Sequence, residues 1–419
     1  MNKHTLSQDL SWRGFVNQTT YKDITEIDKG QITFYFGVDP SAPSMQIGNL
    51  AAAMMVRNFI RHGHKAILLV GGATGMIGDP DGKSEERNLK SIEEVAKNKQ
   101  GIIDQYKKIF DGLDFKVVDN FDWFKDMNYL DFLRDIGKHV PMRQMLGRDF
   151  VQTRLQADGA GISYAEFSYV LIQAYDFLYL NREHNATLQL CGSDQWGNSI
   201  AGVDLIRRVS GKESHVWSLP LVLNKATGIK FGKTEGGAVW LDADMTSPYK
   251  FYQFWLNCDD SGVEDYLKIY TELDEAKINE VMADFENNRS NRVAQKTLAY
   301  EVTSLVHGKE AAESLKRLSD VLFGNSDYSH LTAADFDQIK QDLKVVSIHE
   351  AGSSNIIDLL VATSLAQSKG EARRYIEAKA IYINGVQIDA TKTVLEDSDM
   401  LHGNTIIRRG KNAQAVIEK

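Results

Sequence analysis

A doubly wound α/β domain with a mostly parallel sheet, then a helical domain, then a small α+β domain is the fold class this sequence predicts. Three observations carry it. Ala66-Ile67-Leu68-Leu69-Val70 is an unbroken apolar run ended by Gly71-Gly72, which is how a strand buried on both faces of a parallel sheet looks. Strand-like and helix-like segments alternate out to about residue 223. After Ser247 strand signals nearly vanish, and they return only in the last 65 or so residues.

Each element has its own local reason. Residues 31–38 are rich in β-branched and aromatic types and read as the first strand. Leu50 to Ile60 places apolar residues at helical spacing. Phe115 to Val118 and Thr187 to Leu190 are further strands, with helical stretches between. Residues 247–341 alternate helix formers with Lys, Glu and Asp on polar faces. Val346 to Ser354, with Ala351-Gly352-Ser353-Ser354, reads as a linker. Beyond it, Ile356 to Ala362 and Gly370 to Ala378 read as short helices. Ala380 to Ile383 and Val386 to Ile388 flank Asn384-Gly385, a type I′ hairpin signal. The expected division is 1–223 for the α/β domain, 224–246 for a connecting loop, 247–345 for the helical domain, 346–354 for the linker and 355–419 for the terminal domain.

A chain of 419 residues is too long for one core. Its 43% hydrophobic and 25% charged content is that of a soluble globular protein, and no apolar run approaches the roughly 20 residues that span a bilayer. The start, Met1-Asn2-Lys3-His4-Thr5, has no apolar core, which argues against secretion. Cys191 and Cys258 lack metal-ligand spacing and fit a reducing cytoplasm. A net charge of −9 argues against a surface that is basic all over, yet Lys369, Arg373, Arg374, Lys379, Arg408, Arg409 and Lys411 gather near the end. A local basic patch of this kind can bind phosphates on an acidic protein.

Two short stretches about 180 residues apart carry the first chemical signal. Asp39-Pro40-Ser41-Ala42-Pro43-Ser44-Met45-Gln46-Ile47-Gly48-Asn49-Leu50 lies where a strand gives way to a helix. Gly37 and Gly48 there let a ligand approach the backbone, and a helix start suits phosphate oxygens. In Lys230-Phe231-Gly232-Lys233-Thr234 two ammonium groups bracket a glycine, a device for neutralising a departing polyphosphate. Alone, the first stretch reads sooner as an ordinary turn and the second as a solvated surface; their weight comes from standing together.

The segment around residue 170 adds a third signal. Tyr169, Gln173 and Asp176 fall at i, i+4 and i+7 and share one face of a helix whose neighbours are apolar. A buried polar stripe needs partners, supplied by the protein itself or by a polar ligand. Gly192-Ser193-Asp194-Gln195-Trp196-Gly197 leaves a strand at the carboxyl edge of the sheet, where open α/β folds bind ligands. Gly71 to Pro80 is another glycine-rich strand exit without phosphate-loop spacing, and Lys83 and Arg87 follow in a polar segment. No metal cluster and no hydrolase triad emerges.

In this order the segments resemble the bacterial-type tyrosyl-tRNA synthetases, a class I aminoacyl-tRNA synthetase family, over nearly the full length. The two stretches are similar to the family's His-Ile-Gly-His and Lys-Met-Ser-Lys-Ser signatures, with Gln46 and Asn49 in place of the histidines. The Gly-Gly-Ala-Thr-Gly-x-Ile-Gly-Asp-Pro run, the Glu-Phe-Ser-Tyr…Gln-Ala-Tyr-Asp helix and the Gly-Ser-Asp-Gln-Trp-Gly turn match the same family.

The resemblance implies a Rossmann-like catalytic domain and an S4-like RNA-binding domain at the end. It implies that Tyr35 and Asp176 bind the substrate phenol, that Asp79, Tyr169 and Gln173 hold its ammonium group, and that Gln195 lies near its carboxylate. Gly37, Asp39, Ser41, Gly48, Gly192 and Asp194 are implied ATP contacts, the last two at the ribose. Lys83, Arg87, Lys230, Lys233 and Thr234 are implied to act on the pyrophosphate, with Gln46 and Asn49 beside them. RNA contacts fall to Lys369, Arg373, Arg374, Arg408 and Arg409. The implied partners are tRNA(Tyr), L-tyrosine, ATP with Mg2+ as its counter-ion, and a second copy of the chain; no dedicated metal site and no membrane is implied. Two rivals share the features: activation of tryptophan or a small acid by the same core, and an RNA-binding paralogue that has lost catalysis. Tyr35 with Asp176 argues against an indole, which offers only a donor. Intact Lys230, Lys233, Asp79 and Asp194 argue against decay.

Overall fold

Six strands form the N-terminal sheet: β1 (Gln18–Thr19), β2 (Thr33–Val38), β3 (Lys65–Val70), β4 (Phe115–Asp119), β5 (Leu188–Gly192) and β6 (His215–Leu219), in the order β1-β6-β5-β2-β3-β4. All neighbours are parallel except β1, which runs antiparallel to β6. The structure is a computed structural model that describes residues 4–80, 89–156, 161–234, 237–323, 327–410 and 413–419. Lys83, Arg87 and Lys411 lie outside the described residues, as do the side chains of Lys233 and Thr234.

The apolar run read as a strand is β3, with Ala66 through Val70 all buried. Strand β2 lies between β3 and β5, and chain direction across the sheet reverses there. After β2 the chain steps through β3 to β4, then returns by the long helix Tyr164–His184 to β5 on the other side. The carboxyl ends of β2 and β5, at Val38 and Gly192, therefore border the crevice that such a reversal opens.

Both faces of the sheet are covered, because side chains alternate along a strand. In register, Tyr35 stands beside Ile67 on β3 and beside Gln189 on β5. Tyr35, Ile67 and Leu69 share a core with Val170, Leu171, Phe177 and Leu178 of the 164–184 helix and with Leu205 and Ile206 of the helix Trp196–Ser210. Phe34 points the other way and meets Phe59, 5.2 Å between ring centroids, on the helix Ile47–Arg61.

His64 seals the loop between that helix and β3. Its ring is buried and its Nδ1 accepts the Ile32 N–H at 3.0 Å, so the neutral imidazole is the form that fits. Burial lowers its pKa below the ordinary value, and the nearby His62 lowers it further. The unfolded chain takes up this proton near pH 6.5, the folded chain only at lower pH. The stabilisation is therefore complete above about pH 6.5 and is lost as pH falls below it. Thermal melts should show the wild type losing more stability between pH 7.5 and 5.5 than His64→Asn, whose Oδ1 can still accept Ile32 N–H but does not titrate. Equal slopes would remove His64 as the cause.

A two-stranded hairpin, β7 (Lys233–Thr234) with β8 (Gly237–Ala238), follows the main sheet. The chain divides into two compact units, Met1–Met245 with Cys258–Ala294, and Thr246–Asn257 with Gln295–Lys419. The stretch read as one helical domain over 247–345 is thus shared between them. The second unit contains a five-stranded sheet, β9 (Lys344–Ser347), β10 (Ile381–Ile383), β11 (Val386–Gln387), β12 (Asn404–Arg409) and β13 (Ala413–Glu418), in the order β11-β10-β12-β13-β9. Only β9 is parallel to its neighbour. Residues 346–354, read as a linker, are structured: Val346 and Ser347 end β9, and a helical turn, Ile348–Ala351, follows. The turn between β10 and β11 has Asn384 and Gly385 at φ 44° and 79°, as a type I′ turn requires. Helices Ile356–Ala362 and Lys369–Glu377 bury Ile356, Leu359, Leu360 and Ile376 against Ile381, Ile383, Ile407 and Ile417.

Candidate active site

One cavity of about 440 Å³ opens at the carboxyl edge of the main sheet and gathers residues from segments far apart in sequence. Its floor is β2, its wall the 164–184 helix, and its rim the starts of the 47–61 and 196–210 helices. Tyr35, Tyr169, Gln173 and Asp176 line it on one side, with Asp79 and Gln195 beside them. Gly37, Asp39 and Ser41 follow the chain out of β2, and Gln46, Gly48 and Asn49 begin the next helix. Gly192, Asp194 and Lys230 complete the lining. A Cβ at Gly48 would meet nothing within 4 Å, so the space above this helix start is open.

Backbone hydrogen bonds tie the first signature stretch to residues 239–241, just past the second. Ile47 N–H donates to Val239 O at 3.2 Å and Leu241 N–H to Met45 O at 3.0 Å, while Gln46 bridges Trp240. Upstream of this seam, Phe231 N–H donates to Val222 O and Val239 N–H to Gly232 O, both at 2.9 Å. Gly232 has φ +90°, which disfavours any side chain, and a Cβ there would lie 3.1 Å from Ile47 Cβ. Phe231 stacks on Tyr266 at 4.0 Å, and so anchors the loop while the neighbouring Lys230 stays exposed. Asn49 Oδ1 accepts the Gln46 N–H at 3.0 Å, reaching back to the helix start, and Asn49 lines the cavity.

The polar stripe on the 164–184 helix is tied to carboxylates. Tyr169 OH donates to Asp39 Oδ2 at 2.6 Å, and Thr74 Oγ1 donates to Asp39 Oδ1 at 2.6 Å. Tyr169, implied to meet the ammonium, thus also holds a residue implied to meet ATP. Gln195 Nε2 donates to Asp79 Oδ2, and Asn198 Nδ2 donates to Gln195 Oε1 at 3.0 Å. Asp176 accepts from Trp123 Nε1 at 2.9 Å and from Asn120 Nδ2 at 3.1 Å. Burial pushes the Asp176 carboxyl well above its usual range, and these two donors pull it partly back. Burial likewise pushes the Tyr35 and Tyr169 phenols up, with nearby carboxylates adding to the shift.

Tyr35 OH, Gln173 Oε1 and Gln189 Oε1 are buried in this lining without a hydrogen-bond partner. Unpaired buried polar atoms are costly, and three around one cavity mark where a polar ligand belongs. Asn120, Trp123, Thr74 and Gln189 were not singled out from the sequence. The available signal was positional: Asn120 and Thr74 each follow the end of a parallel strand, β4 and β3.

In the second unit, Arg373 and Arg374 are exposed on the 369–377 helix. Lys369 pairs with Asp358 at 2.7 Å. The Arg408 guanidinium lies 4.2 Å from the Tyr382 ring centroid. Arg409 is half-buried, donating to Leu365 O at 2.8 Å and to Tyr375 OH at 3.2 Å. Among the described residues, no group of His, Cys, Asp and Glu is arranged to hold a metal ion, and no helix is long and apolar enough to cross a membrane.

Residues 28–324 match the family model described as tRNA synthetases class I (W and Y), and residues 335–417 match the tyrosine–tRNA ligase SYY-like C-terminal domain. The tyrosine–tRNA ligase of Staphylococcus haemolyticus is 45% identical over 415 residues, 97% of each chain. That of Listeria monocytogenes is 45% identical over 412 residues, 96% of this chain and 97% of the relative. Among solved structures, a C-terminally truncated mitochondrial tyrosyl-tRNA synthetase of Aspergillus nidulans superposes with a TM-score of 0.70 at 30% identity, covering 77% of this chain and 95% of the other. Likeness of this extent, at full length and in both units, leads to one conclusion: the chain belongs to the tyrosine–tRNA ligase family of class I aminoacyl-tRNA synthetases.

Proposed function

We propose that the chain activates L-tyrosine with ATP, releasing pyrophosphate, and passes the tyrosyl group to the 3′-terminal adenosine of tRNA(Tyr) in the cytoplasm. The observation that carries this reading is the single cavity in which both signatures meet the unpaired Tyr35 and Gln173. The tyrosine phenol donates to Asp176 and accepts from Tyr35. The ammonium group sits among Asp79, Tyr169 and Gln173, with the carboxylate toward Gln195. ATP, with Mg2+ as counter-ion, lies over Gly37, Asp39, Ser41 and Gly48, its ribose at Gly192 and Asp194. A carboxylate is already nucleophilic, so its attack on the α-phosphate needs no general base. Positioning and charge neutralisation carry the rate, the second supplied by Lys230, Lys233, Thr234, Lys83 and Arg87.

Gln46, in place of a signature histidine, donates its amide NH₂ to the γ-phosphate as the transition state forms. Gln46→Ala should lower the adenylation rate about tenfold, the worth of one hydrogen bond to a charged group, with tyrosine affinity unchanged. An unchanged rate in stopped-flow or exchange assays refutes this role.

The main sheet is read as a doubly wound, Rossmann-like fold and the terminal sheet unit as S4-like. Exposed Arg373 and Arg374, with Arg408 over Tyr382, suit an RNA backbone beside a stacking surface. Arg409, held by Leu365 and Tyr375, supports that surface rather than reaching out from it. A homodimer is supported by Tyr129, Leu130, Leu155 and Tyr164, large apolar side chains exposed by half or more. Tyr129 and Tyr164 are neighbours, their hydroxyls 3.2 Å apart. Leu130→Glu with Leu155→Glu should turn a dimer into a monomer in sedimentation velocity; a dimer that persists in the double variant places the interface elsewhere. Charging of tRNA(Tyr) with labelled tyrosine tests the whole reading. RNA binding with no charging would favour a paralogue without catalysis.

A further inference from the structure

Ser44 lies two residues before Gln46, and its buried hydroxyl uses its full bonding capacity. It accepts from Gln105 Nε2 at 2.7 Å and from Asp242 N–H at 3.1 Å, and it donates to Met45 O at 2.9 Å. Gln105 returns the bond by accepting the Met45 N–H at 2.7 Å. Gln105 is buried on the helix Ile92–Ile109 and does not line the cavity. The same helix is pressed onto the first signature stretch elsewhere. Asn98 Nδ2 donates to Pro40 O at 3.1 Å, and a Cβ at Gly101 would lie 2.0 Å from Pro43 O.

The network has an unusual reach. Met45 O also accepts the Leu241 N–H, and Ile47 N–H donates to Val239 O, two residues away on each segment. One side chain pair therefore joins three segments: the 92–109 helix, the turn that sets Gln46 and Asn49, and residues 239–242 beyond the Lys230 loop. We propose that Gln105 and Ser44 are positioning residues for adenylate formation, holding the two signatures at the mutual distance the transition state needs. The proposal rests on the reaction given above. Its physical basis is that reacting groups held about 1 Å out of place lose rate steeply while simple binding at another part of the site is unaffected.

The test uses the full-length chain and the variants Gln105→Leu, Gln105→Glu, Ser44→Ala and the Gln105→Leu/Ser44→Ala double. Pyrophosphate exchange is measured per active site, with sites titrated by the burst of adenylate, alongside the tyrosine dissociation constant. Each of Gln105→Leu and Ser44→Ala should lower the rate per titrated site about tenfold. The double should lose little more, since both break one link. Gln105→Glu, which keeps the acceptor for Met45 N–H, should retain more rate than Gln105→Leu, and tyrosine affinity should stay at the wild-type value throughout. A rate per titrated site equal to wild type, with only the melting temperature lowered, overturns the proposal. So does a tyrosine affinity that falls in step with the rate. If the wild type shows tyrosine-dependent exchange while the variants match it, the positioning proposal alone fails; no exchange by the wild type overturns both.

Discussion

Asp176→Ala is expected to lower kcat/KM for tyrosine about 100-fold or more in pyrophosphate exchange, while the much smaller value for phenylalanine changes far less. The asymmetry follows from what Asp176 faces. It is buried, it already accepts from Asn120 and Trp123, and the unpaired Tyr35 hydroxyl lines the same cavity. A substrate hydroxyl placed between Tyr35 and Asp176 gains a donor and an acceptor at once. Removing the acceptor leaves a buried hydroxyl unsatisfied at a cost of about 1–3 kcal/mol, more where the lost partner is charged, which sets the expected factor. Phenylalanine makes no such bond and has little to lose. Asn120 and Trp123 lose their acceptor in the alanine variant, so Asp176→Asn, which keeps one oxygen, is the control for folding. Equal losses for the two substrates would place the selectivity elsewhere in the cavity.

Lys230→Ala is expected to act on rate rather than on binding. Lys230 is exposed on a loop that Phe231, stacked on Tyr266, fixes in place, and it lines the cavity. Negative charge grows on the departing pyrophosphate only as the bond breaks, so an ammonium there strengthens the transition state more than the bound ground state. Loss of one such preorganised donor costs about 100- to 1,000-fold in kcat. The KM for tyrosine should stay unchanged, because Lys230 is not among the residues proposed to meet the phenol and the ammonium group. A raised tyrosine KM with normal kcat would assign Lys230 to ground-state binding instead.

Legibility in the sequence followed the range of the interactions. β3 could be read because its five apolar residues and glycine exit are contiguous. The stripe Tyr169, Gln173 and Asp176 could be read because helical spacing puts them on one face whatever surrounds them. The hairpin at Asn384-Gly385 was written in two residues with a backbone requirement of their own. β1, only Gln18–Thr19, was not legible: its pairing with β6 joins segments about 200 residues apart, and neither has a period to announce it. β9 was hidden for the same reason, since Lys344–Ser347 is a strand only through its partner β13.

The site divides along the same line. Tyr35, Asp79, Tyr169, Gln173, Asp176 and Gln195, which motifs singled out, line one cavity, while residues that support them from another element carried no such mark. Asn120 and Trp123 reach Asp176 across more than fifty positions, and Gln105 reaches Ser44 across sixty-one. Asparagine, tryptophan and glutamine at such places look like any half-polar helix or loop residue until the fold brings their targets within 3.1 Å. The domain division shows the limit once more: helix formers run evenly from 247 to 341, yet packing assigns 258–294 to the first unit.

Whether this site activates tyrosine is decided by ATP–pyrophosphate exchange with the purified chain and tyrosine, phenylalanine or tryptophan as the sole amino acid. The predicted result is exchange that depends on tyrosine, with phenylalanine and tryptophan near background. Exchange driven by tryptophan, or none with any of the three, would contradict the account.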